Sequence, residues 1–188
     1  MPREDSLCEV LVLGGADSGK SALLRRLKHL VEYELTGASP SAAEEFAESA
    51  TTPTMGVELT EVTVKSRRVM FREVGSAMSS RWSSYFESSA GIVFVVDVSE
   101  TQSLGTTMSQ LFDVLSSKPR TTPLAVCLNK NDLCDPETYV SVCNMFRLEE
   151  LAQTGIAHTL LGRLSCIDGS AAAAVVRWVE QALLSASL

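Results

Sequence analysis

The sequence has few of the side chains from which disulfide frameworks and metal centres are built. Its 188 residues include five cysteines and two histidines. No two cysteines are spaced C-x-x-C, and an odd number of cysteines cannot pair completely. We therefore expect reduced thiols in a cytosolic protein, with Cys8 and Cys127 as small core residues of predicted strands. We expect no metal site built from cysteine and histidine.

The sequence also lacks a long apolar segment. Its longest apolar run, from Ala90 to Val96, ends at Asp97 and is far shorter than the roughly 20 residues that span a bilayer. The first five residues have no apolar stretch typical of a secretory signal. Pro2 in place of glycine excludes N-myristoylation, and the tail Ser-Ala-Ser-Leu has no cysteine for prenylation. We therefore expect no direct membrane anchor.

Basic residues are fewer than acidic residues. The chain has 16 Lys and Arg residues against 23 Asp and Glu residues, a formal net charge of −7. This acidic excess argues against nucleic acid or an anionic bilayer as a general partner. The hydrophobic share of 45% and the charged share of 21% are ordinary for a globular protein. We expect residues 1–188 to form one monomeric domain with a full core.

The stretch from Cys8 to Leu27, by contrast, has the residues of a phosphate-binding loop. An apolar run is followed by G-x-x-x-x-G-K-S from Gly14 to Ser21, and a helical pattern comes next. The two glycines allow turns in which backbone amides close on phosphate oxygens, and the helix N-terminus adds partial positive charge. Lys20 would contact the β- and γ-phosphates, and the Ser21 hydroxyl would bind Mg²⁺.

Predicted strands and helices alternate along the rest of the chain. Continuous apolar strands, such as Gly91 to Asp97, are typical of a parallel sheet covered on both faces. The pattern implies a doubly wound α/β fold with right-handed crossovers. The small and polar stretch over 36–52 is predicted to be a mobile loop, with a short helical turn at 42–47. The other predicted elements are helices over 22–35, about 101–117, about 136–153 and 170–184, strands over 57–64, 69–74, 123–128 and about 157–164, a turn at 66–68 and an irregular loop over 75–84.

The strand predicted over 123–128 is followed by a short polar motif. Residues 129–132 read Asn-Lys-Asn-Asp, the pattern N-K-x-D at the carboxyl end of a buried strand. The Asp132 carboxylate would accept hydrogen bonds from N1–H and N2–H₂ of guanine, a donor pair that adenine does not offer. Lys130 would lie along the face of the base, and Asn129 would tie this loop to the P-loop.

With these motifs in place, the sequence resembles the Arf and Arf-like GTPases of the Ras superfamily over nearly its whole length. Pro53 to Gly56 resembles the switch I motif, and Glu73 to Ser76 stands where the family has Asp-x-x-Gly at the start of switch II. Ser165 to Ile167 fits the last guanine loop. Arg81 to Phe86, followed by the strand from Gly91 to Asp97, is typically Arf-like.

Within the family, the stretches over 72–75 and 82–85 resemble the divergent branch known as Arf-like protein sixteen. The resemblance implies the small G domain of P-loop NTPases, with a mostly parallel six-stranded sheet and helices on both faces. GTP or GDP and Mg²⁺ would be the cofactors, Lys20 and Thr54 the catalytic residues, and Ser21 and Thr54 the metal ligands. The nucleotide-binding residues would be Gly15, Ala16, Asp17, Ser18, Gly19, Lys20, Ser21, Ala22, Gly75, Asn129, Lys130, Asp132, Ser165, Cys166 and Ile167.

The resemblance also implies a cytoplasmic switch in membrane or ciliary traffic, recruited to membranes through partners. Those partners would be an effector, an exchange factor and a GTPase-activating protein. Arfs carry an amphipathic N-terminal helix, but only about seven residues precede the first strand here. Switch I is also long, with 33 residues between Lys20 and Thr54. Arg72 stands where the effector surface usually has a tryptophan, beside Val57 and Tyr85, which favours a different effector.

Switch II departs from the family at three positions. Glu73 replaces the aspartate that holds Mg²⁺ through water, Ser76 replaces a glycine whose amide meets the γ-phosphate, and Ala77 replaces the glutamine that orients the attacking water. An alanine methyl neither donates nor accepts a hydrogen bond. Two functions therefore stay open, a switch with slow hydrolysis and a guanine-nucleotide-binding scaffold that never cycles. A P-loop kinase or ATPase would leave the N-K-x-D motif unexplained.

Overall fold

The computed structural model describes residues 8–36, 54, 56–155, 158–160 and 164–184. Its strands are β1 Cys8–Gly14, β2 Val57–Val64, β3 Arg67–Val74, β4 Gly91–Asp97, β5 Leu124–Asn129 and β6 His158–Leu160. Its α-helices are α1 Lys20–Thr36, α2 Leu104–Ser117, α3 Pro136–Met145, α4 Leu148–Gln153 and α5 Ser170–Val179. Two 3-10 helices in the described residues span Ser76–Tyr85 and Asn131–Leu133, and a π-helical turn spans Glu180–Leu184.

The strands form one sheet in the order β2-β3-β1-β4-β5-β6. β2 and β3 pair antiparallel as a hairpin, and every other neighbouring pair in this sheet is parallel. The central strands β1, β4 and β5 are almost wholly apolar because both faces of the sheet are covered. The predicted class, a mostly parallel α/β sheet with helices on both faces, is confirmed.

Two apolar clusters lie on opposite faces of the sheet. The first is formed with α1 and α5 and includes Leu27 and Trp178. The second is formed with α2, α3 and the longer 3-10 helix and includes Leu111 and Trp82. Each helix therefore buries one apolar face on the sheet, which fixes where its ends lie.

Strands β1, β4 and β5 are parallel, so they end at the same edge of the sheet. Gly14 is paired with Val95 across β1 and β4, and Asp97 is paired with Asn129 across β4 and β5. The P-loop and the N-K-x-D motif follow these strand ends and are thus brought together from distant parts of the sequence. Ligands of open α/β sheets bind outside this carboxyl edge.

The segment predicted as an irregular loop over 75–84 is instead a 3-10 helix, Ser76–Tyr85, with a kink at Met78. The prediction was wrong because five serines in the sequence obscure one apolar anchor. Trp82 is buried and packs edge-on against Phe94, with ring centroids 6.1 Å apart. Burial of this indole holds the segment against β4.

The single helix predicted over about 136–153 is two helices, α3 and α4. Arg147 lies between them with a left-handed φ of 50°, a conformation that an α-helix cannot contain. Neither glycine nor proline marks this break, which is why the sequence pattern did not show it. The start is better marked, since Asp135 caps α3 by accepting hydrogen bonds from the amides of Glu137 and Thr138.

The hairpin turn predicted at 66–68 is also shifted. The loop consists of Lys65 and Ser66, with φ of 46° and 64°, and β3 begins at Arg67. Two consecutive positive φ values are those of a type I′ turn, whose twist suits a two-residue hairpin. The sequence offers no Asn-Gly or Asp-Gly pair there to predict it.

Smaller differences concern element ends. α1 begins at Lys20 and ends at Thr36, α2 begins at Leu104, and β5 spans 124–129 rather than 123–128. The rest of the loop predicted over 36–52, with its turn at 42–47, lies outside the described residues. Of the strand predicted over 157–164, β6 is the described part, and the last helix changes to a π-helical turn at Glu180. Across the described ranges, no helix has both the length and the apolarity of a membrane span.

Candidate nucleotide and metal site

The P-loop joins β1 to α1, and two of its positions admit only glycine. Gly14 has a φ of 144°, and a Cβ there would lie 2.2 Å from the carbonyl oxygen of Val95. Gly19 has a φ of 91°, and a Cβ there would lie 2.3 Å from Nδ2 of Asn129. The loop is therefore pressed against β4 on one side and against the N-K-x-D motif on the other.

The ammonium group of Lys20 is held within the P-loop. It donates hydrogen bonds to the carbonyl oxygens of Gly15 at 2.7 Å and Gly14 at 3.1 Å. Burial lowers the pKa of Lys20, and the negative charges of Glu73 and Asp17 oppose that shift. A buried cation beside a helix N-terminus suits an anionic ligand such as a phosphate group.

The two predicted metal ligands meet beside the P-loop. The Ser21 hydroxyl donates to Oε1 of Glu73 at 2.9 Å, and the Oγ atoms of Ser21 and Thr54 are 3.2 Å apart. Because a serine hydroxyl has one proton, Thr54 must be the donor in its contact with Ser21. The helix α1, the segment that precedes β2 and the end of β3 thus contribute one side chain each to a single cluster.

This cluster fits a magnesium ion. Two hydroxyls and a carboxylate are the oxygen ligands that Mg²⁺ prefers. Glu73 is 1% exposed, and its Oε2 atom is buried without a hydrogen-bond partner, so the site has an unused acceptor. The described residues contain no group of three or more His, Cys, Asp or Glu side chains that could hold a metal. Phosphate oxygens and water would therefore have to complete the coordination.

Asn129 connects three loops of the candidate nucleotide site. Its Nδ2 donates to the carbonyl oxygen of Ser18 at 2.9 Å, and its Oδ1 accepts from the amide of Cys166 at 3.0 Å. The predicted contact between Asn129 and the P-loop is therefore present. Burial raises the pKa of the Cys166 thiol to about 12, so this thiol stays protonated and its role here is packing.

The two charged residues of the N-K-x-D motif differ in their surroundings. Lys130 has a left-handed φ of 62°, and its Nζ lies 2.7 Å from Oδ2 of Asp97. Asp132 is exposed at the centre of the short 3-10 helix, yet it is close enough to Cys166 to help raise the pKa of that thiol. Lys130 is thus fixed by the protein, while the Asp132 carboxylate faces outward beside the last guanine loop.

The last guanine loop lies between β6 and α5. Ser165 is buried, and its Oγ accepts a hydrogen bond from the amide of Ile167 at 3.1 Å. The Ser165 amide donates to Oγ of Ser170 at 2.9 Å, which ties the loop to the start of α5. Ile167 is 54% exposed and forms the outer wall of the loop.

The segment that follows β3 is joined to the segment that precedes β2 by backbone contacts. The Gly75 amide donates to the carbonyl oxygen of Gly56 at 2.9 Å. A Cβ at Gly75 would lie 2.2 Å from the carbonyl oxygen of Thr54, so the two segments can approach this closely only at a glycine. Ser76 and the exposed Ala77 then begin the 3-10 helix. Pro53 and Met55 lie outside the described residues.

Two features of the site were missed from the sequence. Asp97 was taken as the end of an apolar strand, although it is the ion-pair partner of Lys130. Its signal was a lone carboxylate after six apolar residues. Glu73 was treated as a departure from a metal-binding position, although it hydrogen-bonds a predicted metal ligand. Here the signal was its place at the end of a strand beside the P-loop.

Comparisons with known proteins agree with this geometry. The sequence profile described as "ADP-ribosylation factor family" matches residues 2–183. The chain is 27% identical over 172 residues to ADP-ribosylation factor-like protein 16 of Homo sapiens, a match that covers 90% of this chain and 83% of the relative. It is 30% identical over 148 residues to ADP-ribosylation factor-like protein 14 of Mus musculus, with 76% and 68% covered.

A solved structure shares the fold. The Arl6 BBS3 small GTPase of Trypanosoma brucei, determined with the nucleotide analogue GppNp, aligns with a TM-score of 0.73 and 16% identity. The alignment covers 96% of this chain and 99% of that one. The predicted resemblance to Arf proteins, including the Arf-like protein sixteen branch, is confirmed. The chain belongs to the ADP-ribosylation factor family of small GTPases.

Proposed function

We propose that this chain is an Arf-like guanine-nucleotide-dependent switch with weak intrinsic GTP hydrolysis. The observation that carries this proposal is the cluster of Ser21, Thr54 and Glu73. It couples the P-loop directly to the two segments that flank the β2–β3 hairpin. A ligand that binds Ser21 can therefore change how both segments are held, which is the requirement for a switch.

Guanine recognition is assigned to the three loops that Asn129 connects. In support, Lys130 forms an ion pair with Asp97 at the end of β4, and the Asp132 carboxylate is exposed, so a base could contact it. The backbone amides of 15–22 would bind the phosphates, and the loop at 165–167 would border the base. Asp132 would then provide the preference for guanine over adenine.

The residues around the γ-phosphate would act mainly by position and charge. Lys20 would neutralise phosphate charge, and Ser21 and Thr54 would hold Mg²⁺, which supplies electrostatic stabilisation of the transferring phosphoryl group. The Gly75 amide would change its partner from Gly56 to a phosphate oxygen. That exchange would move the 3-10 helix and alter the surface read by an effector.

Weak hydrolysis follows from Ala77. Its methyl group stands at the position predicted for the water-orienting glutamine and is exposed, so it leaves the attacking water without a hydrogen-bond partner there. We expect turnover no faster than about 10⁻⁴ per second, the order of an unassisted small GTPase.

A second candidate is a scaffold that binds guanine nucleotide and never cycles. One observation favours it. Ala77 is exposed and offers no hydrogen-bonding group to a water molecule, and Glu73 and Ser76 also depart from the family's switch II pattern. In that case GTP and GDP would be held equally well and neither would change the effector surface.

The effector surface is assigned to the outer face of the hairpin. Val57 and Leu59 are 36% and 55% exposed. Arg72 forms two hydrogen bonds of 2.8 Å with Glu9 and lies 5.5 Å from the ring centroid of Tyr85. The cation is therefore fixed beside exposed apolar side chains, which suits a partner with both apolar and acidic groups.

The wider setting is part of the same proposal. The whole chain would act as one monomeric domain in the cytoplasm, with no nucleic-acid partner. An exchange factor and a GTPase-activating protein would control the nucleotide. Effectors in membrane or ciliary protein transport would bring the chain to membranes. The net charge of −7 supports recruitment through proteins rather than through anionic lipid.

Nucleotide binding and single-turnover hydrolysis test the two candidates. Affinities for GTP, GDP and ATP would be measured with fluorescent analogues, and hydrolysis of bound GTP would be followed with and without cell extract. Lys20→Ala is the control that should lose all phosphate-dependent binding. Hydrolysis that extract accelerates supports the switch. Equal GTP and GDP affinity with no turnover in either condition supports the scaffold, and absence of guanine-nucleotide binding contradicts both.

A further inference from the structure

Glu73 is a buried carboxylate that makes no hydrogen bond or ion pair with a cation among the described residues. Its Oε1 accepts from Ser21, whereas Oε2 has no partner. The Lys20 ammonium group is close enough to be affected by the charge of Glu73, but it donates its hydrogen bonds to the carbonyl oxygens of Gly14 and Gly15. A buried carboxylate is normally paired with a cation or bound to a metal, because desolvation without compensation is costly.

The position of the free oxygen favours a metal over water. Glu73 is 1% exposed and Oε2 is buried, so a water molecule has little access to it. Mg²⁺ contacts its oxygen ligands at about 2.1 Å, a shorter distance than a hydrogen bond to water. The Ser21 hydroxyl donates a hydrogen bond to the Glu73 carboxylate. An ion bound to the Ser21 oxygen would therefore lie next to Glu73.

We propose that Glu73 is a direct ligand of the metal ion held with Ser21 and Thr54, in the place of one bound water. This assignment rests on the proposed function, because nucleotide phosphates complete the coordination. It differs from the expectation for the switch II position, where a shorter aspartate acts through water. The additional methylene of glutamate lets the carboxylate replace that bridging water.

Direct ligation has two measurable consequences. The ion carries one bound water fewer than it does when the same position is an aspartate. The chain also holds its metal more tightly than a variant with a neutral amide at this position, because a carboxylate brings negative charge to the ion. Mutation of a side chain that supports a metal site typically lowers metal affinity by about tenfold or more. We expect a loss of that size for Glu73→Gln.

Bound water can be counted with Mn²⁺ as a paramagnetic substitute for Mg²⁺. The full chain would be loaded with GDP and Mn²⁺, and line broadening in oxygen-17-enriched water would be measured by electron paramagnetic resonance. The variants are Glu73→Asp and Glu73→Gln. Glu149→Asp is the matched control, because Glu149 is an exposed glutamate of α4, away from the P-loop and from Thr54 and Glu73. Melting curves would show that each variant is folded.

We expect one additional bound water in Glu73→Asp and an unchanged count in Glu149→Asp. Glu73→Gln should bind GDP without metal as the parent does, and should lose Mn²⁺ affinity. An equal water count in the parent and in Glu73→Asp would show that Glu73 acts through water, which overturns this assignment and leaves the proposed function standing. Failure of the parent to bind GDP would overturn both together.

Discussion

Nζ of Lys130 lies 2.7 Å from Oδ2 of Asp97. This ion pair joins the end of β5 to the end of β4. The second oxygen of Asp97 accepts hydrogen bonds from the amide of Ser99 at 2.9 Å and from its hydroxyl at 2.6 Å. Both carboxylate oxygens are therefore used, and the lysine of the N-K-x-D motif has a rigid partner on the neighbouring strand.

Asp97 is expected to position Lys130 against the guanine base. Asp97→Asn keeps the shape and the bonds to Ser99 but removes the charge that holds the lysine. We expect affinity for GDP and GTP to fall by about threefold to thirtyfold, through faster release of nucleotide. Dissociation of fluorescent GDP measures this directly. Asp113→Asn, at an exposed carboxylate of α2, is the control. Equal release rates in Asp97→Asn and the parent would make the ion pair purely structural.

Base specificity should reverse at Asp132. The amide in Asp132→Asn offers a donor where guanine also offers one, so we expect GTP affinity to fall by about a hundredfold or more. Xanthine has an acceptor at that position, and affinity for XTP should rise. Competition of GTP, XTP and ATP against fluorescent GDP gives the order. A variant that still prefers GTP as strongly as the parent would remove Asp132 from the base pocket.

Much of this architecture could be predicted because each signal was local. Gly14 and Gly19 need backbone conformations that other residues avoid, and the apolar runs of β1, β4 and β5 are typical of strands covered on both faces. Local patterns of this kind place the P-loop and the N-K-x-D motif at strand ends. The order of parallel strands then brings Asn129 to Ser18.

The misjudged features depend on tertiary contacts. The 3-10 helix of switch II is held by burial of Trp82 against Phe94, which no pattern within its own serine-rich segment reveals. The left-handed residue Arg147 divides α3 from α4 without a glycine or proline. Glu73 was noted as a substitution, but its contact with Ser21 joins residues 52 positions apart. Sequence spacing alone carries no information about such pairs.

The buried thiols predict how stability changes in alkali. Burial raises the pKa of Cys166 from 9.0 to about 12 and also raises the pKa of Cys127. Above pH 9 the unfolded chain loses these protons and the folded chain keeps them, so the thiols favour unfolding as the pH rises. The contribution is about 1.4 kcal/mol per pH unit per thiol.

Urea unfolding from pH 8 to pH 11 measures this effect as a difference between variants. Above pH 9, the free energy of unfolding should fall with each pH unit by about 1.4 kcal/mol less in Cys166→Ala than in the parent. Other groups that titrate in this range are common to both proteins and cancel in the difference. Parallel pH profiles of the parent and the variant would show that the thiol ionises in the folded chain.

Hydrolysis should be recoverable only by repairing two positions of switch II together. Ala77→Gln restores a side chain that can orient water. Ser76, however, starts the 3-10 helix directly after Gly75, and a residue with a Cβ restricts the loop geometry that glycine allows. We therefore expect little change in either single variant. Ser76→Gly with Ala77→Gln should raise single-turnover hydrolysis about tenfold or more above the intrinsic rate.

Single-turnover hydrolysis of bound GTP distinguishes the possible outcomes for this pair. A gain that appears only in the double variant identifies a lost catalytic loop on an intact fold. Lys20→Ala in the same background should abolish the gain, since the lysine is needed at the phosphate. If the parent hydrolyses GTP much faster than about 10⁻⁴ per second, another group must orient the water. The assignment of Ala77 to the glutamine position would then be wrong, because no glutamine lies between Gly75 and Phe86.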